Sequence, residues 1–347
     1  MTNSSSDFTP RLSIGLPVYN GDTFLPQAID HLLAQTFRDF EIIISDNAST
    51  DRTSQICLHY ASRDRRIRYV RNETNLGAIA NFNHILELSR TPLFKWAAHD
   101  DLHRPTYLEN CVRLLDQDVA TILAHSATAF IDDDGREFPF DVETETYVDP
   151  KTAIRQRPDG PEIGDSLVAV QRFWDVLARA RWGTHMFGVI RREALLQTRL
   201  LQNFAGSDRA MLAELALLGR FKSVPHRLFL KRFHAGVSWA LDQKELKGFL
   251  STDGKAYSRR ARQIHAYFNV PAGKPVAVTT KSACTALVAV HCVKTAMQAL
   301  ARKDAHSAAH GNVWRRRLDP SGPSAVRRSL INAPWTDEGS RRHTRRQ

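Results

Sequence analysis

Residues 93–101 read Leu-Phe-Lys-Trp-Ala-Ala-His-Asp-Asp, an apolar run that ends in two adjacent carboxylates. An apolar run of this length, bounded by polar residues, predicts a buried central strand. Its carboxyl end would place Asp100 and Asp101 at the sheet edge where open α/β folds bind their ligands. Paired carboxylates at such an edge suit Mn²⁺ or Mg²⁺. The alternative is that Asp100 caps a helix that begins near Pro105.

Strand and helix patterns alternate through the first hundred residues. Strands are predicted at residues 12–16, 41–45, 67–70 and 93–98, and helices at 24–35, after the turn 46–51 to about residue 62, and at 78–88. This order predicts a largely parallel sheet with helices on both faces. The loops that follow the strands would then meet in one crevice. Because no G-x-G-x-x-G follows the first strand and no G-x-x-x-x-G-K-[ST] occurs, a dinucleotide or P-loop site is disfavoured.

The alternation weakens beyond Ile122. A strand at 129–131 runs into Asp132–Gly135, whose Asp-Gly pair predicts a hairpin turn, and the acidic residues 136–165 predict a long loop. The remaining predicted elements are a helix at 166–179, a strand at 186–190, a helix at 210–218 that ends at Gly219, and an extended segment at 221–234.

The formal net charge of +11 in 347 residues predicts an anionic partner, which could be nucleic acid, anionic lipid or a phosphorylated substrate. The four cysteines show no C-x-x-C spacing, which favours reduced thiols and a cytosolic compartment. Residues 1–7 lack the pattern of a secretory signal, and no apolar stretch approaches the length of a membrane span. The amphipathic stretch 283–300 would pack on the main domain or lie on a membrane.

Four motifs in this order resemble family 2 glycosyltransferases of the GT-A fold. They are Pro17-Val18-Tyr19-Asn20, residues 44–51, Asn75-Leu76-Gly77 with Asn81, and His99-Asp100-Asp101. The likeness continues through residues 187–192, 207–209 and 232–234, so it covers residues 10–240.

The resemblance implies an α/β GT-A fold, with a Rossmann-like, mostly parallel sheet flanked by helices and a mixed acceptor-binding half. It predicts a disordered N-terminus at 1–10 and a glycosyltransferase domain at 11–240, divided into a nucleotide-binding half at 11–101 and an acceptor half at 102–240. A helical extension at 241–310 and a basic, disordered tail at 311–347 would follow.

The resemblance also implies roles for individual residues. The expected contacts with the nucleotide-sugar are Pro17, Tyr19, Asn20, Asp46, Asn75, Gly77, Asp100 and Arg232. Asp101 and His234 are the expected ligands of Mn²⁺ or Mg²⁺, and Asp208 is the expected general base. Each of three assignments has an alternative. His234 could serve a structural role, Arg232 could be a solvated surface charge, and Asp208 could interact only with the N-terminus of its helix.

The sequence departs from the family's pattern at two positions. Ala98 stands where the metal motif commonly has a further acid, so either the remaining two acids suffice or the metal affinity is reduced. Ser207 replaces the glutamate that often precedes the acceptor-side aspartate, although Asp208 itself is present.

The predicted function is therefore inverting, metal-assisted transfer of a sugar from a nucleotide-diphosphate donor to a glycan or lipid-linked acceptor, in surface polysaccharide or lipid-linked glycan synthesis. The expected location is cytoplasmic, with peripheral contact between the basic C-terminal part and an anionic inner membrane face. The alternative is a non-catalytic relative that binds a nucleotide or glycan. Nucleic acid is disfavoured as a partner because the interleaved aromatics of an RNA-reading sheet are missing.

Overall fold

The computed structural model describes residues 9–234, 249–250 and 259–301. The predicted N-terminal segment at 1–10, apart from residues 9 and 10, and the predicted tail at 311–347 lie outside the described residues. Of the predicted extension at 241–310, residues 241–248, 251–258 and 302–310 lie outside them as well.

The main sheet has eight strands in the order β3-β2-β1-β4-β10-β6-β11-β5. Its strands are β1 (Leu12–Val18), β2 (Phe40–Asp46), β3 (Ile67–Arg71), β4 (Leu93–Trp96), β5 (Leu102–His103), β6 (Thr121–Ile131), β10 (Val189–Arg191) and β11 (Arg220–Arg232). The helices of the first 220 residues are α1 (Leu25–Leu33), α2 (Thr53–Arg63), α3 (Ala78–Leu88), α4 (Tyr107–Gln117), α5 (Ala169–Arg179), α6 (Arg192–Leu196) and α7 (Ser207–Leu218).

The first half of the sheet is parallel, as the alternation predicts. β1 lies between β2 and β4 and pairs with both in parallel, and β2 pairs in parallel with β3. Every residue of β1 and β4 is buried, because helices cover both faces of a parallel sheet. The ends of β1, β2 and β4 therefore lie at one edge. The helix after Pro105 begins with Thr106 as its N-cap residue, so the alternative that Asp100 caps it is wrong.

The second half of the sheet is mixed, and two predicted strands differ from the structure. The strand expected at 129–131 begins at Thr121 and has eleven residues, nearly all of them buried. Its polar positions, such as His125 and Thr128, hide it from a search for apolar runs. The strand expected at 186–190 is a 3-10 helix, Thr184–Phe187, followed by the short β10. Gly183, with φ of +63°, makes the turn that starts the 3-10 helix.

Residues 136–165 were expected to be a long loop, and this prediction is wrong in part. The segment contains a three-stranded antiparallel sheet of β7 (Phe140–Asp141), β8 (Thr146–Val148) and β9 (Arg155–Gln156). The rings of Phe140 and Tyr147 pack with centroids 4.8 Å apart and planes tilted by 57°, and the guanidinium of Arg227 lies 3.9 Å from the Phe140 ring centre. Arg227 is distant in sequence, so the acidic composition of the segment alone gives no sign of this contact.

Two further helices, α8 (Arg259–Asn269) and α9 (Val278–Ala301), form the described part of the predicted extension. Buried residues of both helices, including Tyr267, Cys284 and Val288, belong to the same apolar cluster as residues of α5 and α7. The expectation that the 283–300 stretch packs on the main domain is therefore confirmed. None of the helices in the described ranges combines the length and apolar character needed to cross a bilayer.

Candidate active site

A cleft of about 630 Å³ opens at the carboxyl-end edge of the parallel strands. Residues 17–20 reach it from the end of β1, Asn47 from the end of β2, and residues 98–101 from the end of β4. Asn75 contributes from the turn before α3, Asn81 from the first turn of α3, and Lys231 and His234 from the end of β11. The topology thus brings together side chains that lie up to 232 positions apart in the sequence, from Pro17 to Phe249, as expected at such an edge.

Backbone-to-side-chain hydrogen bonds fix the loop after β1 against the loop after β2. The Asn20 amide donates to Ser49 Oγ at 3.0 Å, and Asn20 Oδ1 accepts from the Thr50 amide at 2.8 Å. The Gly21 amide donates to Thr53 Oγ1 at 2.9 Å. Asn20 has φ of +49°, a conformation that asparagine tolerates better than most residues. These bonds preorganise the wall of the cleft formed by residues 17–20.

Asn47 joins the end of β2 to the turn at residues 75–77. Its Oδ1 accepts from the Leu76 amide at 2.9 Å and from Asn72 Nδ2 at 3.0 Å, and its Nδ2 donates to Asn75 Oδ1 at 2.8 Å. Gly77, with φ of +81° and ψ of 160°, then begins α3 in a conformation that only glycine adopts readily. Sequence reasoning did not single out Asn47, although its place directly after a strand is the same signal that singled out Asp46.

Asp46 lies below this wall, and it is not among the described residues that line the cleft. Its carboxylate accepts hydrogen bonds from the Ser49 amide, Ser54 Oγ, Tyr69 OH and Arg71 Nη1 at 2.7–2.8 Å. Burial by itself would raise the pKa of the Asp46 carboxyl, but the hydrogen bonds outweigh it and the pKa lies below its usual value. The contact with a nucleobase expected for Asp46 does not follow from this placement, because four donors already use its oxygens.

The two adjacent carboxylates have different environments. His234 Nε2 lies 2.8 Å from Asp100 Oδ2. Burial would raise the pKa of Asp100, but the hydrogen bond from His234 and the charge of His99 outweigh it and lower the pKa. Asp101 is 2% exposed, and its Oδ1 accepts from the Arg232 amide at 2.8 Å. Burial raises the pKa of Asp101, and the charge of Asp100 adds to the rise.

One oxygen of this pair has no hydrogen-bond partner in the described part of the chain. Asp101 Oδ2 is buried without a hydrogen bond from any residue that the structure describes. A buried acceptor in that state costs free energy unless a cation, a water molecule or a ligand satisfies it. The carboxylates and the neighbouring imidazole are donor types that a divalent cation accepts, although Asp100, Asp101 and His234 do not form a group of three whose ligand atoms all lie within 4.8 Å of one another. The fit to a metal ion therefore rests on the buried Asp101 Oδ2 and on the chemistry of these side chains.

Arg232 is not among the described residues that line the cleft, so the expected contact with a diphosphate does not follow from its placement. Its side chain is fully buried, with Nε 2.7 Å from the Asp100 carbonyl, Nη1 2.9 Å from the Asp133 carbonyl and Nη2 2.6 Å from Gln27 Oε1. Successive residues of a strand point to opposite sides, so Lys231 lines the cleft while Arg232 holds the acidic loop from behind.

We expect Arg232→Lys to lower the free energy of unfolding by about 2–4 kcal/mol, because lysine cannot replace the planar fork and leaves buried carbonyls unpaired. Urea unfolding measures the change, with Arg113→Lys on the exposed face of α4 as the control that stays within about 0.5 kcal/mol of wild type. Unchanged stability together with weakened binding of a nucleoside diphosphate would show that Arg232 contacts the ligand after all.

Phe187 forms part of the cleft wall, and two buried side chains hold its backbone. Tyr107 OH donates to the Phe187 carbonyl at 2.9 Å, and Lys95 Nζ donates to the same oxygen. Lys95 is fully buried, with Nζ 4.8 Å from the centre of the Tyr107 ring, and burial lowers its pKa to about 7. The 3-10 helix is thereby tied to β4 and α4, beneath the cleft.

Asp208 lies at the first turn of α7 and is not among the described residues that line the cleft. A Cβ atom added to Gly183 would lie 2.2 Å from Asp208 Oδ2, so the carboxylate packs directly against the turn that precedes Thr184–Phe187. The other end of that segment, Phe187, is part of the cleft wall. Burial raises the pKa of Asp208, the charge of Arg209 opposes the rise, and the charge of Asp159 adds to it.

Asp132, Asp133 and Asp134 also form a group whose oxygens lie within 4.8 Å of one another. Asp132 Oδ1, however, accepts from the amides of Asp134 and Arg136, and Gly135 has φ of +86°. Asp133 forms an ion pair with Lys151, and Asp134 one with Arg136. This is the hairpin turn that the sequence predicts. Its carboxylates accept hydrogen bonds from amides of the turn and form ion pairs with neighbouring cations.

The structure therefore gathers most of the expected residues in one cleft: Pro17, Tyr19, Asn20, Asn75, Asp100, Asp101 and His234. Asp46, Gly77, Arg232 and Asp208 are not among the described residues of its lining. Sequence reasoning missed Asn47, Phe187 and Lys231, which do line it.

Comparisons with known proteins fit this arrangement. Residues 13–171 match the sequence model of the family described as glycosyl transferase family 2. An uncharacterized glycosyltransferase of Rickettsia typhi is 31% identical over 152 residues, which cover 44% of this chain and 46% of that protein. An uncharacterized glycosyltransferase of Rickettsia bellii is 36% identical over 114 residues, covering 32% of this chain and 16% of that protein. The chain spans less than half the length of these relatives.

Among solved structures, S. aureus TarS in complex with UDP-GlcNAc matches with a TM-score of 0.57 at 15% sequence identity, over 89% of this chain and 79% of that chain. This likeness bears on the fold alone, and it confirms the expected arrangement of a parallel half and a mixed half. Residues 13–171 are therefore similar to glycosyl transferase family 2, and the fold of the chain is similar to that of TarS.

Proposed function

We propose that this chain is an enzyme that transfers a sugar from a nucleoside-diphosphate donor to an acceptor hydroxyl. The observation that carries the proposal is the buried Asp101 Oδ2 at the cleft, which no described residue hydrogen-bonds and which lies next to Asp100 and His234 in the lining. A family 2 glycosyltransferase domain with this cleft at the ends of its parallel strands supports a nucleotide as the ligand. TarS was solved with UDP-GlcNAc, and we extend to this chain only that class of donor.

The proposed metal ligands are Asp101 and His234, for Mn²⁺ or Mg²⁺. Asp100 would orient the imidazole, because a carboxylate on one ring nitrogen fixes the direction of the other. When bound, the ion would offset the negative charge that develops on the departing diphosphate. Nucleotide binding measured with each metal in turn distinguishes Mn²⁺ from Mg²⁺.

The side chains around the cleft have separate tasks in this proposal. Tyr19 and Asn20, held by the loop after β2, and Asn75 would contact the base and ribose. Lys231, which lines the cleft, would attract the diphosphate, a role that was expected of Arg232 from the sequence. Asp208 would accept the proton of the acceptor hydroxyl, and its raised pKa brings it closer to that of an effective base.

The test is thermal unfolding of the full chain with UDP, GDP or ADP, each with Mn²⁺, with Mg²⁺ or with a chelator. We expect one nucleotide to stabilise the protein only when the metal is present, by about 2.7 kcal/mol at a hundredfold its Kd. Incubation of the matching nucleotide sugar with the protein should then release the nucleoside diphosphate. If no nucleotide changes the unfolding temperature with either metal, the proposal is wrong.

A further inference from the structure

The positive charge of the chain is concentrated in its last quarter. Residues 254–347 contain 18 Lys and Arg against 4 Asp and Glu, whereas residues 1–253 contain 30 against 33. The part of the chain that holds the cleft is thus slightly acidic, and the C-terminal part supplies the whole net charge of +11. A charge separation of this kind points to an anionic partner that contacts the C-terminal part rather than the cleft.

Exposed apolar side chains lie on the two helices of the same region. On α9, Val290, Val293 and Met297 are 54%, 59% and 65% exposed. Their spacing of three and four residues places them on one face of the helix. On α8, Ile264 and Phe268 stand one turn apart and are 36% and 39% exposed. An apolar stripe on a helix surface of a folded protein marks an interaction site more often than an isolated apolar residue does.

The opposite face of α9 is already occupied. Cys284 and Val288 are fully buried in the apolar cluster that also contains residues of α5 and α7. His291 contacts Trp174 of α5 and Tyr267 of α8, with ring centroids 6.5 Å and 6.1 Å apart. The packed face fixes the orientation of α9, so the exposed stripe is presented outward by a helix that cannot turn it inward without unpacking.

The sequence segment that contains the stripe is basic. Residues 254–301 contain seven Lys and Arg and no Asp or Glu. Lys294 is exposed and adjoins Val293, whereas Lys281 lies nine residues before Val290 and therefore on the opposite side of the helix. One of the seven, Lys274, forms an ion pair with Glu214 and does not add to the surface charge. Apolar side chains flanked by cations on one helix are typical of helices that lie in the plane of an anionic membrane interface.

We propose that the exposed apolar stripe of α9 formed by Val290, Val293 and Met297, with the adjoining Lys294, docks on an anionic lipid bilayer. α9 lies in the interface with Val293 near the centre of the contact. A second copy of the chain is disfavoured as the occupant because it would bring the same positive charge. Nucleic acid is disfavoured because phosphate contacts do not use an apolar stripe.

The test is co-sedimentation of the full chain with phosphatidylcholine vesicles, with and without phosphatidylserine, at low and high salt. We expect binding only to the vesicles that contain phosphatidylserine, and weaker binding at high salt. Val293→Glu should reduce the partition coefficient by about tenfold or more, because it removes apolar contact and adds a repelled charge. Met297→Glu should act in the same direction.

The matched control is Val119→Glu, at an 85% exposed valine between α4 and β6, which should bind like wild type. Equal binding by Val293→Glu and Val119→Glu would overturn the proposal. The proposal would also be overturned if the wild type bound no vesicles but self-associated in light scattering, and if Val293→Glu abolished that self-association. DNA retention that Val293→Glu leaves unchanged, in the absence of vesicle binding, would also overturn it. The vesicle experiment contains no nucleotide, so its result does not depend on the proposed sugar-transfer reaction.

Discussion

Asp101→Asn is expected to abolish metal-dependent binding of the nucleoside diphosphate and to reduce sugar transfer by about 10²- to 10³-fold. The substitution retains an oxygen that can accept from the Arg232 amide, so the backbone of β11 stays paired. It removes the negative charge from the buried Oδ2, which has no partner among the described residues. The protein is thus left without the group that we expect to attract the cation.

The same substitution should not destabilise the protein in the absence of ligand. Because burial raises the pKa of Asp101, its ionised form opposes folding at pH values above the ordinary carboxyl pKa. Asparagine removes that unfavourable charge near Asp100. We therefore expect the metal-free variant to be at least as stable as wild type in urea, while it no longer gains stability from nucleotide and metal. Loss of function without loss of stability separates a ligand role from a structural one.

Asp134→Asn is the matched control, because Asp134 belongs to the other acidic group and is paired with Arg136 on the surface. It should bind metal and nucleotide like wild type. If Asp134→Asn loses metal-dependent binding and Asp101→Asn retains it, the metal site lies at the hairpin turn and the assignment to the cleft is wrong.

Sequence patterns predict the parallel half of this fold well, and the reason is physical. Strands such as β1 and β4 are buried on both faces, so they appear as uninterrupted apolar runs that need no knowledge of their neighbours. The polar residues after each strand must then lie at a common edge. This is why Tyr19, Asn75 and Asp101 could be placed in one cleft from their spacing alone.

The mixed half was harder to predict because its contacts come from distant residues. β6 is buried despite its polar positions, and the small β7–β9 sheet depends on the packing of Phe140 with Tyr147 and on Arg227. The sequence pattern also could not predict to which side of the sheet a side chain near a strand end points. Arg232 and Lys231 are equally basic, and only the register of β11 decides that Lys231 lines the cleft.

Asp208→Asn is expected to lower the turnover number by about 10²- to 10⁴-fold while the affinity for the donor stays unchanged. Asparagine has nearly the same shape but cannot accept the proton of the acceptor hydroxyl. Donor affinity depends on the cleft, and Asp208 is not among the described residues that line it. Single-turnover kinetics and donor titration, measured on the same preparation, provide the two readouts.

The pH dependence gives a second and independent readout. The base must be ionised to act, so wild-type turnover should fall as the pH decreases through the pKa of Asp208, which burial raises. The residual activity of Asp208→Asn should not show this fall in turnover at low pH. Gly183→Ala should resemble Asp208→Asn in turnover, because a methyl group there would displace the carboxylate, although strain at φ of +63° should also lower its stability.

The outcomes also distinguish the enzyme from the non-catalytic alternative. A protein that only binds a nucleotide sugar has no turnover to lose, so wild type and Asp208→Asn would bind the donor equally and neither would consume it. Full turnover in Asp208→Asn would instead mean that Asp208 interacts only with the N-terminus of α7 and that another group is the base. A selective loss of turnover, with its acid limb removed and donor binding intact, is the one result that requires both a reaction and Asp208 as the proton acceptor.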